Sequence, residues 1–111
     1  MSADVWIVLK QCECCGRSGD GAELNITYNL SKMLAEAGFM GWREIVGKPA
    51  REVGAHIIGV LDGMTVDPER WRAMNPPNGW GDYDQSLQDR MRRWALECID
   101  SPPDALIGGW L

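Results

Sequence analysis

The chain has 111 residues, 45% of them hydrophobic, with a formal net charge of −5 and a sequence pI of about 4.7. This supports one domain with one core and excludes a disordered chain. The acidic balance argues against non-specific binding to duplex nucleic acid, which relies on Lys and Arg to neutralise phosphates. The longest apolar runs fall short of the roughly 18 residues of a membrane-spanning helix.

The head of the chain, M-S-A-D-V-W-I-V-L-K, is too short and too acidic for an export signal. Of four cysteines, Cys12, Cys14 and Cys15 crowd too closely for mutual disulfides. The expectation is reduced thiols in a cytoplasm.

Asp4 to Lys10 is β-branched and aromatic without a glycine, which predicts a strand. It is apolar on both faces, so it is expected to be covered or to lie between other elements. Gln11 to Ala22 carries glycines at 16, 19 and 21 and reads as a loop, with a turn into a short second strand around Glu23 and Leu24. Asn25 to Gly38 reads as a helix capped by Asn25 or Thr27. Tyr28, Met33, Leu34 and Ala37 mark its apolar side, and Gly38 suits its end.

Phe39 to Gly47 is one helical turn or an irregular packed segment. Pro49 opens a longer helix, along which Ala50, Val53, Ile57, Val60, Leu61 and Met64 form an apolar stripe. Gly54 and Gly59 lower its propensity and make room for another helix, and Gly63 is the expected break.

Asp67-Pro68-Glu69 is a start signal for a short helix to about Ala73, with Trp71 and Met74 facing inward. Asn75 to Asp82, N-P-P-N-G-W-G-D, then makes an ordered polar turn. Asp82 and Gln85 form a candidate capping box. Tyr83, Leu87, Met91, Trp94, Ala95 and Cys98 draw the strongest amphipathic stripe of the chain. Ser101-Pro102-Pro103 stops that helix, and Ala105 to Leu111 predicts a terminal strand kinked by two glycines. Lone strands leave backbone groups unpaired, so the two terminal strands are expected to pair with each other. The predicted fold is α+β: a mainly helical single domain over residues 1–111, with three to four helices and a small antiparallel sheet joining the N- and C-terminal strands.

Two polar groups are candidates for a binding site. In the Asn75–Asp82 turn, Pro76 and Pro77 restrict the backbone and Asn78-Gly79 tolerates a positive φ. Trp80 offers an aromatic face with one N–H donor, and Gly81 opens space before the next helix. That helix start presents N–H groups that attract anions, a capacity Asp82 partly consumes. The second group is Asn25, Thr27, Tyr28 and Asn29. If the two groups meet, amides with both donors and acceptors frame one cleft beside an indole, which suits a nucleoside-like ligand. Without a ligand, the same residues are a rigid turn and a helix cap.

The C-x-C-C-G group offers three thiolates, Cys12, Cys14 and Cys15, where structural zinc takes four ligands. Only His56 and Cys98 are left to complete a site, and both lie on predicted helix stripes. A loop of free thiols is the simpler reading, and Cys12 with Cys15 makes a poor redox pair, since Cys14 intrudes. His56 is a candidate base with Asp62, Asp82 or Asp84 behind it, but no G-x-S-x-G, H-E-x-x-H or paired-carboxylate motif supports catalysis. Ser31 and Ser86 occupy ordinary helical positions. Asp82 and Asp84 are close enough to share a metal, although D-Y-D at a helix start is common capping chemistry.

The N-I-T-Y-N-L-S-K-M run at 25–33, with N-P-P-N-G-W-G-D-Y at 75–83, resembles a family of small uncharacterised proteins of bacteriophages, prophages and some bacterial genomes. The resemblance covers about residues 23 to 104. It implies a setting, a cytoplasmic accessory product of phage type, and no activity. It singles out Asn25, Thr27, Asn29, Met33, Asn75, Pro76, Asn78, Gly79, Trp80 and Gly81. Some members carry His at the position of Tyr28, which weakens a metal or acid–base role for that position here.

The functional expectation is a non-enzymatic binding protein, with a nucleotide-like small molecule or a host protein held between the Asn25–Asn29 and Asn75–Asp82 segments. One alternative is a small metal-assisted or nucleotide-modifying enzyme. Another is a structural or assembly protein displaying tryptophans such as Trp42 and Trp110. Six tryptophans exceed what so small a core readily hides, which argues for a homo-oligomer.

Overall fold

The computed structural model describes residues 2–9, 19–77, 79 and 81–110, with the side chains of Gly19 and Asp20 excepted. Strand β1 (Ser2–Leu9) lies between β2 (Gly19–Thr27) and β3 (Leu106–Trp110) in a three-stranded antiparallel sheet. The expected pairing of the terminal strands is the β1–β3 ladder, which sets Asp4 opposite Trp110, Trp6 opposite Gly108 and Val8 opposite Leu106. On its other side β1 pairs Asp4 with Asn25 and Trp6 with Glu23, and the register shifts between Trp6 and Val8. The free side of β3 is tied to the segment before the long helix: Gly47 N donates to Ile107 O at 2.7 Å, and Ile107 N to Lys48 O at 2.9 Å.

Alternate strand residues point to opposite faces. Ala3, Val5, Ile7, Leu24, Ile26 and Ile107 enter the core. The other face carries Trp6 and Val8, both half-buried, with the more exposed Leu106 and Trp110. The expectation that β1 is covered is therefore met sideways, by two neighbouring strands, and on one face only.

β2 runs through Asn25, where the sequence predicts a helix start. Leu24 and Ile26 alternate into the core, and the Asn25 amide donates across the ladder to Ser2 Oγ at 2.9 Å and Asp4 Oδ1 at 2.5 Å. These bonds keep Asn25 in the strand. Thr27 becomes the cap instead, its Oγ1 accepting from Asn29 N at 3.3 Å. A 3₁₀ turn (Tyr28–Leu30) leads into α1 (Ser31–Glu36), and Gly38 ends it with φ 99°.

Four further α-helices follow among the described residues: α2 (Trp42–Ile45), α3 (Ala50–Met64), α4 (Pro68–Arg72) and α5 (Arg92–Asp100). The one beyond the predicted count is α2, a single turn. The whole predicted stripe of α3 is buried. Gly54 is where α3 crosses α5: a Cβ there would stand 2.6 Å from Ala95 O, so glycine sets the separation of the two helices. Gly59 faces open space.

The helix predicted after the polar turn is wound in two ways. Tyr83–Met91 is π-helical and continues directly into α5. A π winding closes i→i+5 bonds along the backbone; at the side-chain level Gln88 Nε2 donates to the Tyr83 hydroxyl at 3.0 Å. Gln88 also donates to Leu61 O at 2.9 Å, which fastens the segment to α3. The predicted stripe from Tyr83 to Cys98 is buried along its whole length and joins one continuous core with α3 and the sheet.

Candidate functional site

Two corners of the chain meet where β2 ends and the π segment begins. Arg72, last residue of α4, reaches over the turn to Asp84 through three N–H···O bonds of 3.0 to 3.3 Å and also pairs with Glu69. The bonds to Asp84, and then those to Glu69, hold the guanidinium in its charged form, and the same bonds keep the Asp84 carboxyl below its ordinary range. The pair closes the turn between α4 and the π segment. Inside it Gly79 and Gly81 adopt φ of 75° and 95°, a region that favours glycine. Gly81 passes so near β2 that a Cβ would stand 2.6 Å from Thr27 Cγ2 and 3.1 Å from Leu30 Cδ1. The missing side chain at 81 is what lets the turn rest on the end of the strand.

The start of the π segment has most of its amides occupied. Tyr83 N donates to Asn75 Oδ1 at 2.8 Å, while Gln85 N and Ser86 N donate to Asp82 Oδ1 at 2.8 and 3.0 Å. Ser86 Oγ accepts in return from Asp82 N at 3.1 Å, so the predicted capping box closes one residue beyond Gln85. Three of the four N–H groups that open a helix are thus bound within the chain, and a carboxylate stands among them. A phosphate would meet that carboxylate rather than a vacant amide cradle. The hollow beside it, about 280 Å³, is lined by Asn75, Pro76, Gly79, Gly81, Asp82, Gln85 and Ser86.

Among the residues predicted for one cleft, Asn75, Gly79 and Asp82 surround this hollow, and Thr27 touches its wall at Gly81. Asn29 is exposed next to the cap, and Tyr28 packs half-buried on the core. Asn25 lies on the outer sheet face, where it lines a different hollow with Asp4, Trp6 and Trp110. Asn78 and Trp80 lie outside the described residues, as do Cys12, Cys14 and Cys15.

Two side chains whose partners the sequence does not reveal, one of them Trp94 of the predicted stripe, fasten the helix to the edge of β2. Arg90 Nη2 donates to Asn25 O at 2.8 Å, and Trp94 Nε1 to Ala22 O at 3.0 Å. Their spacing of four was legible as helical, but nothing in it announces a strand so far back in the chain.

The candidate acid–base groups are engaged in the fold. His56 Nε2 accepts from Met40 N at 3.1 Å, and its ring stacks on Phe39. Burial pushes the Cys98 thiol up to about 12, away from the thiolate that a nucleophile or zinc ligand must be. Among the described residues no three His, Cys, Asp or Glu side chains converge as a metal-binding group. Of the two tryptophans that the assembly alternative would display, Trp42 is buried edge-on to Phe39 at 4.8 Å, whereas Trp110 is 76% exposed. No family model, curated protein or solved structure matches the chain.

Proposed function

We propose that the protein is a non-enzymatic binding protein whose ligand seats at the corner between the end of β2 and the Asn75–Asp82 turn. The meeting of Thr27 with Gly81 carries this reading, because it sets the cap of one polar segment against the other. Among the described residues Asn75 bonds through its oxygen alone, to Tyr83 N, so its NH₂ end can serve a ligand acceptor. Asp82 makes the corner inhospitable to phosphate, so the ligand is neutral or cationic where it touches. A peptide segment of a host protein fits that chemistry best, and a nucleoside held through its base is the small-molecule version. The engagement of His56 and Ser86 in structural bonds supports binding over catalysis. A cytoplasmic accessory role of phage type follows from the sequence resemblance.

Amide spectra recorded during titration with nucleosides, nucleotides and short blocked peptides test the proposal. Shifts are expected at Thr27, Gly79, Gly81 and Gln85, with no gain from adding a phosphate to the ligand. Shifts that gather elsewhere, or an affinity that depends on phosphate, would refute it.

A further inference from the structure

The outer face of the sheet is built in cross-strand rows, because residues directly opposite in an antiparallel ladder share a face. The register puts Trp110, Asp4 and Asn25 in one row and Gly108, Trp6 and Glu23 in the next. Gly108 makes room for an aromatic surface: a Cβ there would stand 2.5 Å from Trp6 Nε1, so the indole lies across it. Trp110 is the diagonal neighbour of Trp6. The two indoles line a hollow of about 490 Å³ together with Asp4, Glu23, Asn25 and Arg90.

A sheet with one solvated face normally turns polar side chains outward. Two tryptophans in adjacent rows depart from that pattern, and each has a carboxylate in its own row. We propose that this face is a second binding surface, separate from the corner, that receives an arginine or lysine of a basic segment in a partner protein. Aromatic faces attract cations through their quadrupole. Asp4 and Glu23 add negative charge beside both rings, and Asn25 orients Asp4 by binding one of its oxygens. Arg90 stands at the border with its guanidinium turned to Asn25 O. The alternative occupants fit less well. A second copy docking through the same face would bring, among the residues lining this hollow, one cation for two carboxylates, and that cation, Arg90, already donates to Asn25 O. Nucleic-acid phosphates would be repelled. A neutral sugar could stack on the indoles but would leave the carboxylates without a positive partner.

The test is a titration of the 111-residue chain with a blocked peptide of alternating arginine and glycine, and with a matched glutamate–glycine peptide, followed at the indole N–H signals. The arginine peptide alone is expected to shift Trp6 and Trp110 saturably, leaving the Gly79 and Gly81 amides in place. Affinity is expected to fall about threefold to thirtyfold in Trp110→Ala, and also in Asp4→Asn and Glu23→Gln, three changes at the surface. Four results would overturn the proposal: equal binding of the two peptides; undiminished affinity in Trp110→Ala; saturable binding of a neutral hexasaccharide without the arginine peptide; or a dimer in sedimentation that Trp110→Ala dissolves with no peptide response.

Discussion

Substituting Gly81 by alanine tests whether the turn rests on β2. Two costs combine at this position. The φ of 95° lies where L side chains are strained, which costs roughly 1–2 kcal/mol. The new methyl would also stand 2.6 Å from Thr27 Cγ2. Such overpacking typically costs about 1–3 kcal/mol. Gly79 is the internal control: its φ is 75°, and a Cβ there would meet nothing within 4 Å. The Gly79→Ala loss is therefore strain alone, less the roughly 0.4–1 kcal/mol that alanine returns by restricting the unfolded chain.

Urea unfolding monitored by tryptophan fluorescence should accordingly show Gly81→Ala losing about 1–3 kcal/mol more than Gly79→Ala. Thr27→Ser keeps the hydroxyl that caps Asn29 and removes the offending methyl. Combined with Gly81→Ala it should recover part of the loss, with a coupling of about 0.5–2 kcal/mol. Recovery is partial because Leu30 Cδ1, at 3.1 Å, stays in place. Equal losses at 79 and 81, or no recovery with Thr27→Ser, would mean that the two segments do not touch, and the corner would lose its basis.

Three other perturbations have definite signs. Gly54→Ala should destabilise by about 1–3 kcal/mol, because a Cβ there would meet Ala95 O, while Gly59→Ala on the open side of α3 should stabilise by roughly 0.5–1 kcal/mol; melting temperatures that move the same way in both variants would contradict the α3–α5 contact. Asp82→Ala should cost about 1–2 kcal/mol and Asn75→Ala somewhat less, since Asp82 holds two amides and Asn75 one; chemical denaturation ranks them, and a reversed order would contradict the capping scheme. Burial raises the Cys98 thiol from 9.0 to about 12, so the folded chain keeps a proton that the unfolded chain releases; stability from this source is complete below the unfolded value and falls as pH rises toward the folded one. Thermal melts of the wild type and Cys98→Ala should therefore diverge above pH 9, with the wild type losing more, and parallel curves would contradict the burial.

The elements with long periodic patterns were readable from the sequence. The stripes of α3 and of the helical run from Tyr83 are buried as their spacing predicts, and the pairing of the two terminal strands followed from the need to satisfy their backbones. Errors arose where a local signal met a distant partner. Asn25 looks like a cap until Ser2 and Asp4 claim its amide from the neighbouring strand. Gln85 completes a capping box on paper, but Ser86 lies nearer to Asp82 N. The π winding is tied down by Gln88 bonding to Leu61, twenty-seven positions back. At the site, Asn75, Gly79 and Asp82 drew attention through turn chemistry alone. The hollow between Trp6 and Trp110 stayed hidden, because no spacing relates the two tryptophans until β1 and β3 fall into register.

Both surfaces depend on the segment from Asp82 to Trp94. Its first residues wall the corner, and Arg90 and Trp94 hold it against Asn25 and Ala22 on the edge of β2. The segment therefore covers backbone groups that an edge strand would otherwise expose to unwanted pairing. Three of the fastenings join a side chain to a main-chain oxygen, at Leu61, Asn25 and Ala22, so these contacts depend on backbone placement, while Arg92 with Asp62 and Arg72 with Asp84 add side-chain ion pairs. That arrangement fixes the rear of the helix while its exposed side stays open to variation. It places two exposed surfaces beside β2, the corner at its end and the face carrying Trp6 and Trp110, and the turn that lines the corner is held by its own bonds, from Gly79 N to Pro76 O and from Tyr83 N to Asn75 Oδ1.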